Sequence, residues 1–243
     1  MRFHFTCELE NNFLPVDYRR KIVSFLKYSI EKSSSDFYEE LYGKGNNTNK
    51  DFAMSVYFVP ETRIGRDNIS VNSRKMIINL STPDAYTGIQ IYNAVSSQKF
   101  TWHKLSGENA IRVIKISNEK EKIITQGKAV FNTLSPIVIR DHNQETGKDW
   151  FYTFEDAAAQ EILKRNLQRE LKGKFSRDIS HDIDKLNIDF GRMKKLIVQC
   201  YELKIPASLG VLSLEGEQYL LQYLYQRGLG SKRSLGFGML ELI

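Results

Sequence analysis

The sequence predicts a mixed α+β protein, and three observations predict it. Short alternating stretches read as strands: in Arg2 to Leu9, for example, Phe3, Phe5 and Cys7 share one face. Apolar stripes at helical spacing, such as Ile22, Val23, Phe25, Leu26 and Ile30, read as amphipathic helices. The element order through the first half is β-α-β-β-α-β, the ferredoxin-like arrangement shared with RNA-recognition (RRM-like) domains. A second, more irregular copy of the same pattern follows. Element order alone licenses no function.

Taken in order, the first strand is followed by Leu14-Pro15-Val16-Asp17, expected to open a helix with Pro15 near its start and Asp17 at the positive end of the dipole. That helix should stop at Ser33-Ser34-Ser35, and a shorter one, capped by Ser35, should run through Phe37 to Tyr42. The polar run Gly43 to Lys50 has no capacity to form a core. Phe52 to Val59 reads as the second strand, Glu61 to Ser73 as a polar loop or hairpin, and Lys75 to Leu80 as the third strand. Thr82-Pro83-Asp84 starts a helix through Ile89, Tyr92 and Val95. Phe100 to Lys104 and Ala110 to Ser117 supply further strand.

The charged break Asn118-Glu119-Lys120-Glu121-Lys122 is the expected boundary between a domain of residues 1–118 and one of residues 122–243. Beyond it, Ile123 to Thr133 and Ile137 to Arg140 read as strands around a Leu134-Ser135-Pro136 corner. Phe154 to Lys174 reads as a long charged helix with Ile162, Leu163, Leu167 and Leu171 inward. Leu196 to Leu203 and Val211 to Leu214 read as strands, Glu217 to Tyr225 as a helix, and Met239 to Ile243 as the closing strand.

A chain of 243 residues can bury one large core or two small ones. Its net charge of +6, from 35 Lys+Arg against 29 Asp+Glu, suits an anionic partner. Cys7 and Cys200 both fall in strand-like stretches and read as apolar core residues, in keeping with a reducing compartment. No apolar run approaches the ~20 residues that span a bilayer, and Met1 leads directly into strand-like alternation without a signal-peptide core. The expectation is a soluble, cytoplasmic protein with no membrane partner.

The most informative stretch is Gly228-Leu229-Gly230-Ser231-Lys232-Arg233-Ser234-Leu235-Gly236-Phe237-Gly238. Two Gly-hydrophobic-Gly triplets flank a polar segment with two adjacent cations. A hairpin turn would need fewer glycines. Gly228, Gly230, Gly236 and Gly238 instead suggest a nest of backbone N–H groups around an anion, with Ser231, Lys232, Arg233 and Ser234 adding side-chain contacts. This loop, the helix leading into it, the run Thr133-Leu134-Ser135-Pro136-Ile137 and the stretch Leu41 through Phe58 resemble the RAMP superfamily. The resemblance is strongest to its CRISPR repeat-RNA processing endoribonucleases. It covers the whole chain in element order and these patches in residues.

The resemblance implies two ferredoxin-like domains side by side, with CRISPR repeat RNA held across them as precursor and mature guide. It leaves room for other CRISPR effector subunits and for a homodimer. It also implies metal-independent cleavage, in which the RNA's own 2′-hydroxyl attacks the neighbouring phosphate and leaves a 2′,3′-cyclic phosphate. Similar nucleases keep a histidine in a Leu-His context before a Gly- and Lys-containing loop; here Tyr42 stands in that place, after Leu41 and before Gly43. A phenol titrates near ~10 against ~6.5 for imidazole, so Tyr42 is a poorer base at neutral pH. Two readings stay open: slow cleavage supported by Tyr42, Lys27, Tyr28 and Lys50, or binding without cleavage as a subunit of a CRISPR ribonucleoprotein.

Other chemistry finds no footing. Ser180-His181-Asp182 lacks the nucleophile elbow of a hydrolase, and the spacing of His and Cys matches no zinc pattern. No G-x-G-x-x-G or P-loop follows a strand. Neither a metal nor another cofactor is expected. His4 is read as facing away from the core, His103 as a neighbour of Trp102 and Lys104, and His142 as lying in a polar loop with Asp141. The basic clusters Tyr18-Arg19-Arg20-Lys21, Lys164-Arg165 with Arg169, and Lys172 with Lys174 fit RNA contact and solvated helix faces equally well.

Overall fold

The computed structural model describes residues 1–43, 50–107 and 109–243. Strand β1 (Arg2–Leu9) buries Phe3, Phe5, Cys7 and Leu9 and leaves His4, Thr6 and Glu8 partly exposed, the alternation legible in its sequence. There follow β2 (Phe13–Pro15), α1 (Tyr18–Ser33), α2 (Ser35–Tyr42), β3 (Ala53–Phe58), β4 (Thr62–Ile64), β5 (Asn68–Val71) and β6 (Lys75–Ser81). The first half closes with α3 (Ala85–Ser97), β7 (His103–Ser106) and β8 (Asn109–Glu119). The main strands pair antiparallel in the order β3-β6-β1-β8, with β7 added beside β8. The first and third strands of the βαββαβ unit therefore lie at the centre, as a ferredoxin-like sheet requires. Helices α1 and α3 lie side by side and complete its core, the Phe3 ring meeting Tyr92 of α3 edge-on at 5.5 Å between centroids.

The second half repeats the plan with β9 (Lys128–Thr133), β10 (Ile139–His142), β11 (Asp149–Tyr152), α4 (Ala159–Leu171) and α5 (Ser180–Lys185). It ends with β12 (Asn187–Cys200), β13 (Leu203–Glu215), α6 (Gln218–Arg227) and β14 (Leu240–Leu242). Its sheet has the order β12-β13-β9-β14, which is the first sheet's order again, and β10–β11 is an inserted hairpin. Helices α4 and α6 fill its core through Ile162, Leu163, Leu167, Leu220, Leu221 and Leu224. The protein is thus a double ferredoxin-like α+β fold. Cys7 and Cys200 are free and buried. Among the described residues no helix is long and apolar enough to cross a membrane.

Several local expectations are corrected. Pro15 does not start a helix; it ends β2, which pairs with β5, and α1 begins after Asp17. Ser34, not Ser35, caps α2, its hydroxyl accepting from the Phe37 amide at 3.2 Å. Of the two readings of residues 61–73, the hairpin is the one found: β4 and β5 pair antiparallel and join β2 in a small sheet. Ile89 is exposed, and Ile91, Ala94 and Val95 form the buried stripe of α3. The expected helix from Phe154 is delayed by a turn in which the Asp156 carboxylate accepts from the Thr153 amide at 2.7 Å. Leu203 does not end a strand; it starts the return arm of a hairpin whose turn is Tyr201-Glu202. Of the polar run after Tyr42, residues 44–49 lie outside the described residues.

The two halves are tied by polar contacts. Arg2 donates to the Leu240 carbonyl at 2.9 Å and pairs with Glu241 at 2.7 Å. The Ser81 hydroxyl donates to the Gln226 carbonyl at 2.7 Å, and the Ser135 hydroxyl to the Met54 carbonyl at 3.1 Å. An ionic triad inside the second half anchors a further tie: Glu170 of α4, its side chain 8% exposed, pairs with the buried Arg227 at 2.5 Å and the buried Arg233 at 2.9 Å. Asp51, just ahead of β3, stands 3.5 Å from Arg227 and 3.9 Å from Arg233.

Burial alone would raise the Glu170 pKa, but Arg233 and Arg227 outweigh it and hold the carboxyl below its usual range. Because the folded-state value is lowered, the stabilisation is present above the ordinary glutamate range near ~4.3 and is lost as pH falls through the folded-state value. Glu170→Gln should lower the unfolding free energy by about 3–5 kcal/mol, because two buried guanidinium groups lose their nearest counter-charge and keep only the more distant Asp51. Urea unfolding at pH 7 checks this; a change below about 1 kcal/mol would remove the triad from the stability argument.

Candidate nucleic-acid interface

Residues after α6 cannot continue a helix, because Gly228 takes φ 81° and the chain reverses into the glycine loop. The loop packs backbone against backbone. The Leu229 amide donates to the Gly238 carbonyl, the Gly238 amide to Pro136 and the Ser231 amide to Val138, at 2.8, 2.9 and 2.8 Å. A Cβ on Gly238 would stand 2.0 Å from the Leu229 carbonyl oxygen, and one on Gly230 2.5 Å from that of Val138. Only glycine allows these approaches, made at φ 66° and 83°.

These bonds limit which amides of the expected anion nest can face an anion. The amides of Gly228, Leu229, Ser231, Leu235, Gly236 and Gly238 are committed to protein carbonyls, so the glycines hold the loop's shape. The cations part ways too. Arg233 is buried, donates to the Gly230 carbonyl at 2.6 Å and pairs with Glu170, so its charge serves the fold and not a surface contact. Lys232, at φ 60°, lines an open pocket with Ser231 and Ser234.

That pocket has a volume of about 310 Å³ and draws on both halves of the chain. Lys50 enters from ahead of β3, Arg140 and His142 from β10, and Arg169 from α4. Burial lowers the Lys232 pKa, and the nearby Arg140 charge lowers it further. Sequence reasoning missed Arg140 and His142 as site residues because the strand was ended at Arg140. Carried two residues further, period-2 alternation would have put both side chains on one face. In the sequence Arg169 is one cation among several on a charged helix.

Lys50 also belongs to a second cluster. Its Nζ lies 4.7 Å from the centre of the Tyr42 ring, and Lys27 Nζ of α1 lies 4.5 Å from the same centre. Two ammonium groups thus share one aromatic ring, the geometry of cation–π attraction. Burial lowers the Lys50 pKa, with Lys27 as the second cause. Burial raises the Tyr42 phenol, and Tyr38 and Tyr201 add to the effect. A phenol pushed up in this way is not a base at neutral pH. The structure brings Tyr42, Lys27 and Lys50 together and leaves Tyr28 apart, its ring 4.6 Å from that of His103 on β7.

The other histidines have local partners. His4 meets Glu119 at 2.8 Å, and His142 meets Asp149 at 2.7 Å across the β10–β11 ladder. His181 lies in the short helix α5. Among the described residues no group of three or more His, Cys, Asp and Glu side chains is placed to hold a metal ion.

Comparison with known proteins places this geometry. Residues 118–242 match the family model described as CRISPR associated protein Cas6, C-terminal. A putative CRISPR-associated endoribonuclease-like protein, Cas6nc of Pyrococcus horikoshii, is 32% identical over 119 residues. That match covers 47% of this chain and 48% of the relative, so it spans about half of that protein's length. Two solved structures share the fold over the whole chain. One, described as an RAMP protein binding different RNA substrates, has a TM-score of 0.85 at 23% identity and is covered over 99% of its length. The other, from a Cas6-related gene of Pyrococcus furiosus, has a TM-score of 0.86 at 20% identity and is covered over 98%. At such identities the two structures speak for the fold alone. The family model spans just over half of the chain, from the end of β8 through β14 and including the glycine loop, and on that ground the chain belongs to the Cas6 family.

Proposed function

We propose that the protein binds the repeat RNA of a CRISPR transcript at the glycine-loop pocket and cleaves it by metal-independent attack of the 2′-hydroxyl, leaving a 2′,3′-cyclic phosphate. The observation that carries this reading is the pocket itself. Lys50, Arg140, Arg169 and Lys232 converge from both halves on a space of about 310 Å³, room for one phosphodiester. Cations placed where charge develops stabilise a pentacoordinate phosphorus more than its ground state. In this reading residues 1–118 and 122–243 act as two domains that grip the RNA between them. Lys27 and Lys50 hold phosphate charge, and the Tyr42 ring positions both ammonium groups.

A second reading, a non-catalytic RNA-binding subunit of a CRISPR ribonucleoprotein, is favoured by one observation. The place where similar nucleases are expected to keep an imidazole holds a phenol whose pKa burial raises. The same pocket would then hold the RNA without cutting it.

Lys232→Ala should weaken repeat-RNA binding roughly 3- to 10-fold and reduce the salt slope of log K by about one, the signature of one lost phosphate contact. Filter binding from 50 to 300 mM salt, roughly the range where counterion release is resolved, reads both quantities. An unchanged slope would take Lys232 out of the interface. Arg233→Ala, by contrast, should cost stability first, as expected of a buried ion-pair partner.

Cleavage should persist in EDTA and vanish when the nucleotide 5′ of the scissile bond carries a 2′-deoxy sugar. Dependence on a divalent ion, together with indifference to the 2′-deoxy substitution, would refute the mechanism.

Tyr42→Phe should leave single-turnover cleavage and binding within about threefold, because the ring and not the hydroxyl serves the two lysines. Tyr42→Ala should weaken RNA binding by releasing both ammonium groups. A large rate loss in the phenylalanine variant would instead make the phenol a participant.

A further inference from the structure

The Tyr42 cluster offers cations and no base. An imidazole stands on the other wall of the glycine-loop pocket. His142 and Asp149 face each other as a direct cross-strand pair of β10 and β11, with Nδ1 2.7 Å from the Asp149 Oδ1 oxygen. The same oxygen accepts from Arg140 Nη2 at 2.6 Å. Asp149 is a carboxylate with a lowered pKa: burial works against the charge, and the hydrogen bonds from Arg140 and His142 overcome it. Such a carboxylate only accepts, so at 2.7 Å Nδ1 must carry the hydrogen; two acceptors would repel at that distance. Arg140 Nη2 lies 3.1 Å from the same Nδ1, but as a donor it has its closer partner in the Asp149 oxygen at 2.6 Å; with the Nδ1 hydrogen given to Asp149, Nε2 is the nitrogen that exchanges a proton.

Asp149, itself held by Arg140, therefore fixes a tautomer and an orientation, the two properties a general base needs from its support. The hairpin that carries them is braced from α4, where the Asn166 side-chain amide donates to the Arg140 carbonyl at 2.7 Å. His142 lines the pocket with Lys50, Lys232, Ser231 and Ser234. It is about one-third exposed, open enough to meet RNA.

We infer that His142, oriented by Asp149, is the general base of RNA cleavage in the glycine-loop pocket. This rests on the reading of the protein as a repeat-RNA binder. His142 Nε2 takes the proton of the 2′-hydroxyl as the 2′-oxygen bonds to phosphorus. The bond from phosphorus to the 5′-oxygen breaks, and Lys50 gives its proton to that oxygen. The products are a 2′,3′-cyclic phosphate and a 5′-hydroxyl. Exchange with water then returns the proton from His142 and restores the one on Lys50. Lys232 holds a non-bridging phosphate oxygen throughout. The base comes from the inserted hairpin of the second half, on a different element from the position where the sequence leads one to look.

The test uses the full chain and CRISPR repeat RNA, with single-turnover cleavage and equilibrium binding measured on the same samples. His142→Ala should slow cleavage ~10²–10³-fold with binding within about threefold, and free imidazole in the buffer should restore at least about tenfold of the loss. A merely structural histidine would give no such rescue. His142→Asn, whose amide can still donate to Asp149, should be equally slow and guards against a folding defect in the alanine variant. Three results overturn the proposal while RNA binding stands: variant rates within about threefold of the parent, no recovery with imidazole, or a parent protein that binds repeat RNA and never cuts it. Absence of repeat-RNA binding by the parent would overturn the reading beneath it as well.

Discussion

One buried carboxylate holds the functional end of this molecule in place. Glu170 takes hydrogen bonds from Arg227 at the end of α6 and from Arg233 inside the glycine loop. Both arginines are buried against it, since an isolated guanidinium in the interior is far costlier than a paired one, and Asp51 stands farther off as their second carboxylate. Arg233 then reaches the Gly230 carbonyl and, at 3.4 Å, the main-chain carbonyl of Lys50. Glu170 thus anchors the loop through Arg233, and Arg233 in turn ties the loop to the first half at Lys50.

The pocket's chemistry follows from that tie. Lys50 is fixed at its backbone by the loop and at its ammonium by the Tyr42 ring, so it joins two clusters that lie far apart in sequence. The pocket lining collects positive charge from α4, β10 and the loop, while the carboxylates of Asp149 and Glu170 pair with Arg140 and Arg233 and orient them. An anion entering the pocket meets donors whose own partners are already arranged, which lowers the cost of ordering them on binding.

Much of the fold was legible in the sequence, because the period-2 and helical stripes of β1, α1, α4 and α6 are what a double βαββαβ plan buries. The misplaced boundaries have local causes. Asn, Asp and Ser side chains bind nearby backbone and shift a helix start by a few residues, as at Asp156 and Ser34. In the long β12–β13 hairpin only one arm alternates clearly, and Ile197 faces outward. At the site, the glycines and Lys232 were visible as a motif, and Tyr42, Lys27 and Lys50 as a constellation. Two things were not visible. Arg233 reads like a surface cation until its partner, 63 residues earlier, is known. His142 reads like a loop residue until Asp149 is found across the hairpin turn from it.

The glycine loop also constrains the order in which the molecule can be assembled. The first ferredoxin-like sheet is complete once β8 has been synthesised, and its core can form as a unit while the rest of the chain is still being made. The pocket cannot follow that schedule. Its floor is stitched to Pro136 and Val138 and its lining runs from Lys50 to Leu235, so Lys50 waits for a partner translated some 180 positions later. A chain still being made can therefore carry a folded first half while the pocket that Lys50 lines stays unfinished until the glycine loop has been added.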